Sequence, residues 1–180
     1  MVSARSIDEN PRPQPVDAPW LRGRKVTALT IAPDGTRMLV VTTKADGSDP
    51  QLGLAGIARD GSGRPRAVAE PWRQAEPLTL VRDVTWLESD SFAVLGRISA
   101  AEPIRPWIGQ IGAGLDGVRR RGPTAPEDTR LSPVKDARWI TSIGGPRGII
   151  VITDGHEVLS RAGATWREVA RGTDLLVPGH

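Results

Sequence analysis

A six-residue segment recurs three times along this chain of 180 residues. Val26-Thr27-Ala28-Leu29-Thr30-Ile31 is echoed by Val81-Arg82-Asp83-Val84-Thr85-Trp86 and by Val134-Lys135-Asp136-Ala137-Arg138-Trp139, with starts 55 and 53 residues apart. Each copy leads through a turn into an apolar strand: Met38–Val41, Phe92–Leu95 and Gly148–Ile152. A repeat of roughly 40–50 residues built from short strands alone predicts propeller blades. One sheet of this kind cannot bury its apolar faces without a neighbour.

The expected fold class is therefore all-β, a β-propeller segment of about three four-stranded antiparallel blades. The first unit reads as strands from Val26, at Arg37–Thr43, Gln51–Ala58 and Arg66–Ala69. They are separated by the turns Pro33-Asp34-Gly35-Thr36, Asp46-Gly47-Ser48 and Asp60-Gly61-Ser62-Gly63, where glycine supplies a positive φ. The second reads as Asp83–Leu87, Ser91–Arg97, Trp107–Ile111 and Val118–Arg121. The third reads as Asp136–Ile140, Gly148–Thr153, Glu157–Arg161 and Trp166–Ala170, with a hairpin at Asp154-Gly155. Trp86 and Trp139 take the register held by Ile31 in the first unit, which predicts core packing between blades. No segment sustains a 3.6-residue apolar period, so little or no helix is expected.

The units fall at roughly 24–70, 78–122 and 132–172, inside a partial propeller spanning 21–180. Residues 1–20 carry Pro11, Pro13, Pro15 and Pro19, which fix φ and remove amide donors. They read as a Pro-rich linker or as the remnant of a preceding blade. Closed propellers have about 4–8 blades. The two end faces of the array therefore need cover from the remaining propeller blades, from self-association or from a partner.

Side-chain chemistry narrows the function. Cysteine is absent, which excludes disulfides, thiolate catalysis and cysteine metal sites. Of two histidines, His180 is terminal and His156 follows the Asp154-Gly155 turn. Gly-x-Ser-x-Gly does not occur and tyrosine is absent. The carboxylate pairs Glu88/Asp90 and Glu127/Asp128 lie in predicted turns, where they are solvated. Gly112-Ala113-Gly114 and Gly144-Gly145 lead into no helix that would complete a phosphate site. The sequence thus points to no catalytic, cofactor-binding or metal residues, and to a protein that is not an enzyme. Net charge is +3, with no basic stripe interleaved with aromatics, so nucleic acid is not an expected partner. No apolar run approaches the ~18 residues of a membrane span, so no direct membrane insertion by this chain is expected.

Five residues stand out as candidate interface positions. Arg119, Arg120 and Arg121 form the densest basic run. It reads either as a charged edge strand that discourages aggregation or as a contact for anionic lipid or an acidic protein surface. Trp72 and Trp107 follow Pro71 and Pro106 outside the repeating register. Each reads as an exposed interface anchor or as packing under a loop.

The order and spacing of several motifs support a family. They are Leu21-Arg22-Gly23-Arg24-Lys25-Val26-Thr27-Ala28-Leu29, Ile31-Ala32-Pro33-Asp34-Gly35-Thr36-Arg37, Gly56-Ile57-Ala58-Arg59-Asp60, Val84-Thr85-Trp86-Leu87, Val94-Leu95-Gly96-Arg97, Trp166 and the terminal Val177-Pro178-Gly179. Across residues 16–180 the chain resembles the last blades of the C-terminal β-propeller of the actinobacterial LpqB lipoprotein family. The resemblance implies a non-enzymatic protein-interaction module of a cell-envelope lipoprotein. It implies a location on the outer face of the cytoplasmic membrane and an action on the sensor kinase of the MtrAB two-component system, through that kinase's extracellular part. Family members carry a signal peptide, a lipobox cysteine and a GerMN-like domain ahead of the propeller, and none of these lies within the 180 residues. The alternative expectation is a substrate-binding or gating propeller fragment of a hydrolase or peptidase.

Overall fold

The computed structural model describes residues 2–4, 14–69, 72–73, 79–97, 99–111, 118–119, 132–145, 147–163 and 165–172. Three antiparallel sheets follow one another along the chain. The first holds β3 (Arg24–Ile31), β4 (Arg37–Lys44), β5 (Gln51–Arg59) and β6 (Pro65–Val68), with β7 (Trp72–Arg73) also paired to β5. The second holds β8 (Leu80–Glu88), β9 (Ser91–Arg97), β10 (Arg105–Ile111) and β11 (Val118–Arg119). The third holds β12 (Ala137–Ser142), β13 (Ile149–Thr153), β14 (Glu157–Ala162) and β15 (Thr165–Arg171). A small ribbon pairs β1 (Val2–Ala4) with β2 (Gln14–Val16), and a single 3-10 turn spans Pro19–Leu21. The architecture is the expected one, a segment of β-propeller made of three antiparallel blades, with β7 as a fifth strand on the first.

Asp-Gly turns close three connections of the first sheet by one device. The Oδ1 atoms of Asp34, Asp46 and Asp60 each accept the backbone N–H and the hydroxyl of the residue two positions on, Thr36, Ser48 and Ser62, at 2.6–2.9 Å. The side chain thus replaces a turn hydrogen bond that the backbone alone would lack. Between the β13 and β14 strands, His156 rather than Gly155 takes the left-handed conformation, with φ 59.

Two apolar cores join the sheets. Leu39, Val41 and Leu52 pack against Val84, Trp86, Phe92 and Val94 between the first and second. Leu87, Ala93 and Leu95 pack against Ile140, Ile149 and Val151 between the second and third. Side chains alternate across a strand, so β9 sends Phe92 and Val94 one way and Ala93 and Leu95 the other. A strand buried on both faces needs an unbroken apolar run, and Phe92–Leu95 is that run. The opposite face of the first sheet carries Met38, Val40, Ala55 and Val68, covered by Val16, Ala18 and Trp20. Asp17 bridges Ala67 in parallel, and the Trp20 indole donates to the Val68 carbonyl at 3.0 Å.

Each inner strand carries a β-bulge in the same place. Register slips between Val26 and Ala28, between Val81 and Asp83, and between Ala137 and Trp139, leaving Thr27, Arg82 and Arg138 unpaired. Four residues beyond the bulge these strands pair as Ile31 with Met38, Trp86 with Phe92 and Ser142 with Ile149. Ser142, not Trp139, therefore matches Trp86, which corrects the expected third repeat by three residues. An odd shift turns a strand's side chains to the other face. Trp86 is buried in the first core with its indole donating to the Thr30 carbonyl at 3.1 Å. Trp139 is only half-buried and pairs with Ile152 outside the second core.

Gly109 lies opposite Phe92, and a Cβ there would overlap the Phe92 ring. Gly109→Ala is expected to destabilise the fold by about 1–3 kcal/mol in urea unfolding, because the ring is fully buried and has nowhere to retreat. A second expectation concerns acid. The Thr36 amide and the Arg37 guanidinium hold the Asp34 carboxyl at about 2, below its ordinary value. A depressed folded-state pKa stabilises the fold above about pH 4, and that contribution is lost as pH falls toward 2. Melting temperature is expected to fall more steeply between pH 4 and pH 2 in the wild type than in Asp34→Asn.

Candidate functional site

The three bulges place their extra residues on a common side of the array. Thr27, Arg82, Asp83, Arg138, Trp139 and Asp154 line a cleft of about 370 Å³ that draws on all three inner strands. A bulge bends its strand and re-aims the extra side chain out of the pleat. The bulged positions of three successive blades consequently meet in one place although they lie 55 and 56 residues apart in sequence.

Two neighbouring side chains of β8 fasten the cleft's floor. The Asp83 carboxylate is buried, at 1% exposure. Its Oδ1 accepts the Val84 amide at 2.9 Å and its Oδ2 accepts the Ile140 amide at 2.8 Å. Ile140 lies in β12, whose only strand partner among the described residues is β13, so this amide lies on the edge of β12 away from β13. Arg82 donates from Nη1 to the Ala137 carbonyl of the same strand at 2.6 Å. Across the cleft, Arg138 pairs with Asp154 at 3.1 Å, and its guanidinium carbon sits 4.4 Å from the centroid of the Trp139 ring. The lining offers guanidinium forks, an aromatic ring and a hydroxyl, a set suited to recognising a polar ligand.

The residues singled out from sequence lie elsewhere. Trp107 is not an exposed anchor: it is 9% exposed in β10, paired with Val94, and its indole donates to the Gly96 carbonyl at 3.1 Å. Pro106 beside it pairs with Leu95 inside the sheet. Trp72 lies in β7 opposite Leu54, and Arg119 lies in β11 opposite Gln110. Arg120, Arg121, the Glu127/Asp128 pair, Gly112–Gly114 and His180 lie outside the described residues. Asp90 of the other carboxylate pair accepts from Arg37 at 3.4 Å, and Arg37 also donates to the Ser89 carbonyl, so this turn ties the first sheet to the second. Arg82, Asp83, Arg138, Trp139 and Asp154 were not foreseen as a site. Their signal was Arg82-Asp83, two charged residues inside an otherwise apolar inner strand.

Comparison with known proteins gives the family. The profile described as the lipoprotein LpqB beta-propeller domain matches residues 2–178. The chain belongs to the LpqB β-propeller family. The lipoprotein LpqB of Thermobifida fusca (strain YX) is 28% identical over 176 residues, which cover 96% of this chain and 25% of that relative. The chain thus spans a quarter of the length of the LpqB protein it matches. The resemblance seen in the ordered motifs of residues 16–180 is borne out. In this LpqB-type segment, among the described residues, no helix is long and apolar enough to cross a membrane.

The Asp83 joint sets a measurable expectation. Asp83→Ala leaves the Val84 and Ile140 amides buried without their acceptor, at a cost of about 1–3 kcal/mol for each. Amide hydrogen exchange is expected to accelerate at Ile140 and across β12 and β13 before it changes in β4. Asp83→Asn, which keeps one carbonyl acceptor, is expected to fall between the wild type and Asp83→Ala.

Proposed function

We propose that this domain is a non-catalytic protein-interaction module of an LpqB-like cell-envelope lipoprotein, acting on the extracellular part of the sensor kinase of the MtrAB two-component system. The family match over residues 2–178 carries the reading. The cleft supports it, because its side chains are arranged for hydrogen bonding and ion pairing across three blades. A propeller segment displays residues from successive blades on one rigid surface, and that surface rather than the fold decides what is bound. In this reading the domain docks and shifts the kinase between states through a difference in affinity for them.

The test is calorimetric titration of the purified chain with the purified extracellular domain of the kinase from the same organism. Saturable binding with a dissociation constant at or below the micromolar range is expected for an interface of ordinary size. Absence of heat and of complex by light scattering at about 100 µM of each partner would overturn the proposal.

A further inference from the structure

Among the described residues, Arg82 in the cleft has no carboxylate in ion-pair contact. Asp83 accepts from two backbone amides, and Asp154 pairs with Arg138. Arg82 is exposed and anchored by a single bond to the Ala137 carbonyl, which leaves most of its five-donor fork without a partner among the described residues. Trp139 stands beside it in the same lining. A bulge residue anchored at one nitrogen is pre-organised, so a ligand accepted by the rest of the fork meets little ordering cost.

We infer that this cleft binds a carboxylate side chain of an acidic peptide segment, held by the Arg82 fork, with the flanking part of the segment against Trp139. The inference rests on the interaction-module reading and adds the chemistry of what is recognised. A planar carboxylate matches a guanidinium fork in two parallel hydrogen bonds. Asp83 and Asp154 in the same lining oppose any anion, and they oppose a phosphate of nearly two charges about twice as strongly as a singly charged carboxylate. The open cleft of about 370 Å³ admits one or two side chains of a protruding loop.

The experiment is an NMR titration of the full chain, following the Trp139 indole resonance assigned through Trp139→Phe. The probe is the blocked peptide acetyl-Gly-Glu-Glu-Gly-amide, with its Gln-Gln counterpart and inorganic phosphate as separate arms. The acidic peptide is expected to give a saturable shift that the Gln-Gln peptide does not. Arg82→Gln is expected to weaken binding about tenfold or more, with Arg82→Lys between it and the wild type. Because Arg82 also holds Ala137, Asp154→Asn provides a second variant. It releases Arg138 into the cleft and is expected to tighten acidic-peptide binding severalfold while leaving the fold intact. An equal response to both peptides, phosphate binding tighter than the acidic peptide, a folded Arg82→Gln variant with unchanged affinity, or an unchanged Asp154→Asn variant would each overturn the inference. Kinase-domain binding without a peptide response would sink the carboxylate site and leave the interaction module standing. A peptide response without kinase binding would do the reverse.

Discussion

Asp83 joins the second sheet to the third through a carboxylate that has almost no contact with water. A buried carboxylate is costly unless it is hydrogen-bonded on all sides, and this one is satisfied partly by an amide that no strand of its own sheet takes up. The two problems solve each other. The edge of β12 away from β13 needs acceptors for its amides, and the Asp83 charge needs donors. Separating the sheets would leave both unsatisfied, so the joint is specific in a way that the apolar core between Leu95 and Val151 is not.

The same logic extends to the other inner strands. An exposed inner edge is a template for unwanted strand pairing. Here that edge is answered by side chains from the next sheet: the Trp86 indole on the Thr30 carbonyl, and the Arg82 guanidinium on the Ala137 carbonyl. Each contact is made by a residue of β8 reaching to a neighbouring β-strand. The second sheet is thus fastened on both sides, consistent with β9 being apolar toward both.

Local chemistry made most of the fold legible. Asp-Gly turns and alternating apolar runs located the strands of all three sheets, because turn geometry and pleat periodicity are written within a few residues. Two positions came out differently. Trp139 was placed in the register of Trp86 by the match of Lys135-Asp136-Ala137 to Arg82-Asp83-Val84, but register is set by pairing with the next strand, which puts Ser142 there. In sequence Trp107 opens a strand but, beside Pro106 and outside the repeating register, reads as an exposed anchor or as packing under a loop. That proline is accommodated in β10 because β11 pairs only with Gln110 and Ile111, so no described strand on that side asks it for an amide. The cleft was invisible for the same reason as the register: its residues become neighbours only once three bulges are aligned.

Bulged positions also explain how a cleft can be tuned without emptying the apolar cores. Thr27, Arg82 and Arg138 pair with no residue of the adjacent strand and belong to neither apolar core. They are Thr in the first blade and Arg in the second and third, whereas the core positions around them stay apolar. A change at Leu95 or Val151 opens a cavity between sheets, but a change at a bulge leaves both apolar cores filled, although at Arg82 it also removes the bond to the Ala137 carbonyl. Asp83 marks the boundary between these regimes. It lies one residue from a bulge and lines the cleft, yet its charge is committed to holding β12. Recognition by this surface is therefore expected to vary through the bulge residues and to be limited by the joint beside them.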